Sequence, residues 1–91
     1  MHGEYKTPGG KLVMVDFDIE QGRLKNVVVS GDFFLYPEET LDTINATLED
    51  VPSNLEGDEL VRRLESAIPE SAELLGFSPE AVVVAVQRGL Q

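Results

Sequence analysis

Lys11–Phe34, KLVMVDFDIEQGRLKNVVVSGDFF, is the stretch whose reading decides the fold. Val13, Val15, Phe17 and Ile19 alternate with Met14, Asp16, Asp18 and Glu20, the period-two pattern of a half-buried strand. Gln21-Gly22 supplies a two-residue turn, weaker than Asn-Gly, and the β-branched run after it predicts a returning strand. A turn centred there sets Glu20 opposite Arg23 and Asp18 opposite Lys25, opposite charges across the solvent face. The same register sets Asn26 opposite Phe17 on the core face, so a bulge or a longer turn before Val27 is the alternative.

Working outward, Gly3–Lys6 reads as a short third strand, closed by the turn Thr7-Pro8-Gly9-Gly10. On the other side the pattern changes to helices. Pro37 suits a first helical turn, Glu38, Glu39 and Asp42 put negative charge at its positive end, and Leu41, Ile44 and Leu48 share a face. Asp50–Asn54 ends that helix. In GDELVRRLESAI, Leu60, Val61, Leu64, Ala67 and Ile68 recur at helical spacing until Pro69 stops them. Glu70–Leu75 reads as one loose turn closed by Gly76. Ser78 as N-cap and Pro79 at the first helical position open a terminal helix through AVVVAVQRGL, with Gly89 as its stop. The triple valine also suits a strand, and the Ser-Pro-Glu start decides for helix. Strands followed by helices predict an α+β domain spanning 1–91: a small antiparallel sheet of two or three strands in the N-terminal half, with about three helices on one face.

Composition narrows the function classes. Apolar residues make up 42% and charged residues 26% of the 91, enough for one core and too little chain for two. The lack of cysteine removes disulfides, thiolate metal sites and thiol nucleophiles. Seventeen acidic against seven basic side chains give a formal charge of −10, which repels nucleic-acid backbones and anionic membranes. That charge fits solubility or a salty cytoplasm better than steering to a basic partner. MHGEYKTPGG lacks the basic and apolar regions of a signal peptide, so a cytoplasmic location is expected.

Candidate chemistry is sparse. His2, the only histidine, reads as a solvated terminal residue. Asp16, Asp18 and Glu20 suggest a hard-cation site, but their alternation with apolar residues fits a solvated strand face better. TPGGKL fails as a phosphate loop, because Tyr5 and Leu12 stand where Gly and Ser or Thr are needed. Asn45-Ala46-Thr47 fits a glycosylation triplet but lies in an expected helix of a chain with no secretory signal. SGDFF remains. Gly31 allows a bulge or a close backbone approach, Asp32 can accept from backbone donors in the bend, and consecutive Phe33 and Phe34 face opposite ways. Both rings can be buried only if the strand is bulged or covered on both faces, so one ring is expected in the core and the second either there too or at an interface.

EYKTPGGKLVMVDFDIEQGRLKNVVVSGDFFLYPEE resembles the opening of the lipoate-protein ligase C-terminal domain, which in some microbes, archaea especially, is a separate small subunit. Lys6, the Pro8-Gly9-Gly10-Lys11 turn, Gly31-Asp32-Phe33-Phe34 and Pro37 carry the resemblance, and GFSPEAVVVAVQ adds to it more weakly. The resemblance implies a noncatalytic accessory role in a heterodimer. The catalytic partner would hold ATP, Mg and lipoate, form lipoyl-AMP and pass the lipoyl group to a lysine of an acceptor domain. It implies no catalytic, cofactor-binding or metal residue in this chain. Lys6, Gly9, Gly10, Lys11, Gly31, Asp32, Phe33 and Phe34 become the candidates for the partner interface. The implied fold is similar to that of the cysteine-dependent sulfur-transfer and iron–sulfur scaffold proteins of the SufE and NifU type. The rival reading is an acidic protein–protein interaction adaptor unrelated to lipoate.

Overall fold

The computed structural model describes residues 1–91. Three antiparallel strands, β1 (His2–Lys6), β2 (Leu12–Glu20) and β3 (Arg23–Gly31), form a sheet in the order β1-β2-β3. Gln21 and Gly22 both take positive φ, 53° and 74°, the left-handed pair that a tight hairpin turn needs. Glu20 pairs with Arg23 and Asp18 with Lys25, as the charge pattern predicts. The Lys25 ammonium, however, bonds Asp50 at 2.7 Å, and Asp18 accepts instead from the Asn26 side chain at 3.0 Å.

The register shifts between Asp16 and Asp18, and Asn26 takes φ 56°, so the bulge is real and turns Asn26 out of the core. Its two irregular backbone donors, Asn26 N–H and Val27 N–H, both reach the Glu49 carboxylate at 3.0 Å. Val29 N–H donates to Asn45 Oδ1 at 2.9 Å, so the amide of the glycosylation-like triplet covers the edge of β3.

Glu49 caps, and Asn45 lies within, α1 (Thr40–Leu48), which starts three residues later than Pro37 suggested. Phe34–Tyr36 is extended instead, as β4, and pairs antiparallel with β5 (Glu73–Leu75), a strand standing where one loose turn was expected. The Tyr36–Pro37 peptide bond is cis. Pro37–Glu39 then form a turn, with Thr40 N–H donating to the Pro37 carbonyl at 3.0 Å. Pairing with β5 keeps the residues before Pro37 extended, a conformation the proline itself favours.

The two remaining helices follow the sequence closely. Helix α2 spans Gly57–Ala67, and α3 spans Pro79–Leu90 behind Ser78, whose hydroxyl accepts from Ala81 N–H at 3.2 Å. Gly89 is not the stop expected of it, since α3 runs to Leu90. It lies against β1: a Cβ on Gly3 would collide with the Ala85 carbonyl, and one on Gly89 would come within 2.8 Å of the Phe17 ring. Small residues on both sides let the strand lie on the helix backbone.

Helices α1 and α3 lie on one face of the three-stranded sheet, and α2 packs against both of them. Val13, Val15, Phe17, Leu24 and Val29 project into a core completed by Ile44 and Leu48 of α1, Leu60 and Leu64 of α2, and Val82, Val83 and Val86 of α3. The other face carries exposed His2, Glu4, Lys6, Asp16 and Asp18. No helix is long and apolar enough to cross a membrane.

Candidate functional site

The eight residues singled out by the sequence converge on one end of the molecule. Lys6 closes β1, the turn through Gly9 and Gly10 leads to Lys11, and Lys6 pairs with Leu12. Gly31 ends β3 opposite Val13. Two successive backbone donors bind these segments together: Lys11 N–H donates to the Gly76 carbonyl at 2.9 Å, and Leu12 N–H donates to Asp32 Oδ1 at 2.8 Å. Asp32 thus takes the role its position predicts, accepting a backbone hydrogen bond that holds the bend to the start of β2.

Gly31 is required by space as well as by dihedral angle. Its φ is 153°, and a Cβ there would strike the Leu12 carbonyl oxygen and approach the Phe33 ring to 2.9 Å. Gly9 takes φ 70° in an open turn, while a Cβ on Gly10 would lie 2.8 Å from the Gly76 carbonyl. Lys11 is exposed, with its aliphatic stem over Gly76, and Lys6 is exposed on the outer sheet face.

The chain passes the two phenylalanines in opposite directions. Phe33 is half-buried and packs on Phe77, with ring centroids 4.1 Å apart and planes tilted by 31°. Phe34 is 69% exposed. The pairing of β4 with β5 adds two residues that sequence reading missed. Phe34 pairs with Leu75, Tyr36 lies two residues along β4, and these two side chains are 70% and 58% exposed for Tyr36 and Leu75. Leu35 and Leu74, on the other face of the ribbon, pack against the core. Each strand is three residues long, too short for alternation to register in the sequence.

Beside the ribbon lies an open groove of about 620 Å³. Val29, Phe33, Phe34, Leu35 and Leu41 form its apolar lining, and Glu38, Glu39 and Asp42 line it from the start of α1. No basic residue lines it. The signal for these carboxylates was present in the sequence, where they read only as charge complementing a helix N-terminus.

The polar cluster on the outer sheet face has a different character. His2 lies in β1 and is paired, not loose: Nδ1 meets Asp16 at 2.7 Å and Nε2 meets Glu4 at 2.6 Å. Hydrogen bonds to Glu4 and Asp16 raise its pKa above the ordinary histidine value. The two carboxylates address opposite ring nitrogens, so they do not converge on one point as ligands of a single ion must. No group of three or more His, Asp and Glu is arranged to hold a metal ion.

The chain matches no family model. A stretch of 37 residues, 41% of the chain, is 35% identical to lipoate-protein ligase A subunit 2 of Thermoplasma acidophilum, and spans 39% of that relative's length. In three dimensions the chain matches one chain from the solved structure of an archaeal bipartite lipoate protein ligase and its E2 lipoyl domain, from the same organism. That match has a TM-score of 0.70 and 25% identity, and covers 94% of this chain and 97% of the other. The resemblance thus holds in sequence and in three dimensions: the chain is similar to the small subunit of a bipartite lipoate-protein ligase.

Proposed function

We propose that this protein is the noncatalytic accessory subunit of a two-chain lipoate-protein ligase, required beside the catalytic subunit for ATP-dependent activation of lipoate to lipoyl-AMP. The observation that carries the reading is the likeness along nearly the whole chain to a bipartite ligase structure, at a TM-score of 0.70. The location of the residues that carry the sequence resemblance supports it. Gly31, Asp32, Phe33 and Phe34 stand beside an open groove and an exposed aromatic ribbon, the kind of surface that anchors a protein partner.

In this reading the partner holds ATP, Mg and lipoate, the two chains form a cytoplasmic heterodimer, and the lipoyl group goes on to a lysine of an acceptor domain such as an E2 lipoyl domain. This chain supplies a folded surface that completes the adenylating state of its partner. Lipoate-dependent release of pyrophosphate from ATP tests it directly. The catalytic subunit alone is expected to release little, and addition of this chain at equal concentration is expected to restore release. Equal rates with and without this chain would reject the accessory role and leave the acidic-adaptor reading in its place.

A further inference from the structure

A two-stranded ribbon needs only one apolar face to hold it on a core. The β4–β5 ribbon has two. Leu35 and Leu74 satisfy the core, which leaves Phe34, Tyr36 and Leu75 exposed with no folding purpose. Large side chains left in water together on one small element mark a contact surface. The Phe34 ring also lines the neighbouring groove, so the convex aromatic face and the concave apolar groove are continuous.

We infer that the outer face of the β4–β5 ribbon and the adjoining groove receive a basic segment of the catalytic subunit, with an apolar side chain in the groove and Lys or Arg side chains against Glu38, Glu39 and Asp42. The inference rests on the accessory-subunit reading and names the surface and the partner chemistry that reading leaves open.

First, the groove is lined by three carboxylates and no base, so it repels an anionic small molecule such as a carboxylic acid or a nucleotide and attracts a cation. Second, a small molecule in the groove would leave the ribbon face uncovered, whereas a protein surface covers both at once. Third, a second copy of this chain is disfavoured. A two-fold contact through one patch sets the patch against itself, and each copy carries a formal charge of −10. A basic rim around an apolar anchor satisfies all three conditions.

Binding to the purified cognate catalytic subunit separates the outcomes. Four forms are compared: the natural sequence, Glu38→Lys with Glu39→Lys, Phe34→Ser with Tyr36→Ser, and a control carrying Glu20→Lys with Glu56→Lys, which makes the same charge change elsewhere. The parent side chains at all six substituted positions are exposed, so circular dichroism and thermal melts are expected to show folded proteins. The Lys pair in the groove is expected to weaken binding about ten-fold or more near physiological salt, with the deficit shrinking at high salt, where exposed charges are screened. The Ser pair is expected to weaken binding about ten-fold at every salt concentration, because its loss is apolar. The control is expected to bind within about two-fold of the natural sequence.

Natural binding by both groove and ribbon variants would overturn the inference and leave the accessory role standing, with its contact surface elsewhere. A loss confined to the Ser pair would overturn the basic character assigned to the partner. Self-association through this face would overturn the inference alone, whereas failure of the natural sequence to bind the catalytic subunit would overturn it together with the reading beneath it.

Discussion

Phe33 and Phe34 are adjacent, chemically identical, and sit in opposite environments. Phe33 packs on Phe77 with centroids 4.1 Å apart, while Phe34 is 69% exposed. Truncating a half-buried aromatic removes its buried area and its ring–ring contact, so Phe33→Ala is expected to cost about 2–4 kcal/mol of folding stability. Phe34→Ala is expected to change stability by less than about 0.5 kcal/mol, as substitutions of exposed side chains usually do. Urea denaturation of the two variants checks this, and equal losses would refute the division of roles. The two-way alternation of a strand made it legible in the sequence that the rings must part. Which ring goes inward was not legible, because that depends on Phe77, brought alongside by the far end of the chain.

At the scale of elements, the edge of β3 shows how one helix finishes another element's hydrogen bonding. The bulge at Asn26 exposes two adjacent N–H donors, and both reach Glu49, the residue that ends α1. Hydrogen bonds to a charged acceptor contribute more than neutral ones, so Glu49→Ala is expected to lower stability by about 1–3 kcal/mol and to speed hydrogen exchange at Asn26 and Val27. Unchanged exchange at those amides would remove Glu49 from this role. The bulge itself could be anticipated, since an unbroken register would have put Asn26 on the core face opposite Phe17. Its acceptor could not, because Glu49 reads in the sequence as one more charge on a polar turn. The β4–β5 ribbon escaped for a related reason: three-residue strands have no period to detect and exist only through their pairing with each other.

For the molecule as a whole, charge opposes compactness. Seventeen acidic side chains against seven basic ones are held on the surface of a 10.0 kDa fold, where they repel one another. Raising NaCl from about 0.02 M to about 0.5 M shortens the Debye length from roughly 20 Å to a few ångströms, and the melting temperature is expected to rise. A fall in melting temperature over that range would show that the local ion pairs, Lys25–Asp50 and Arg62–Glu59 among them, outweigh the general repulsion. The same charge is expected to favour a basic partner at the groove, where three carboxylates meet an apolar lining.

What the sequence determined by itself is everything set by near neighbours. Period-two alternation made the hairpin, two residues able to take positive φ made its turn, helical spacing made α2, and Ser78-Pro79 began α3. The resemblance through PGGK and SGDFF is also local, and it marked the end of the molecule where the groove lies. Tertiary structure alone decided the late start of α1, the ribbon made from Phe34–Tyr36 and Glu73–Leu75, the packing of Gly89 against β1, and the choice of Phe34 as the outward ring. Each of those depends on a contact between segments distant in the chain. Such contacts form only when the whole core assembles, so no short window of sequence carries their energy.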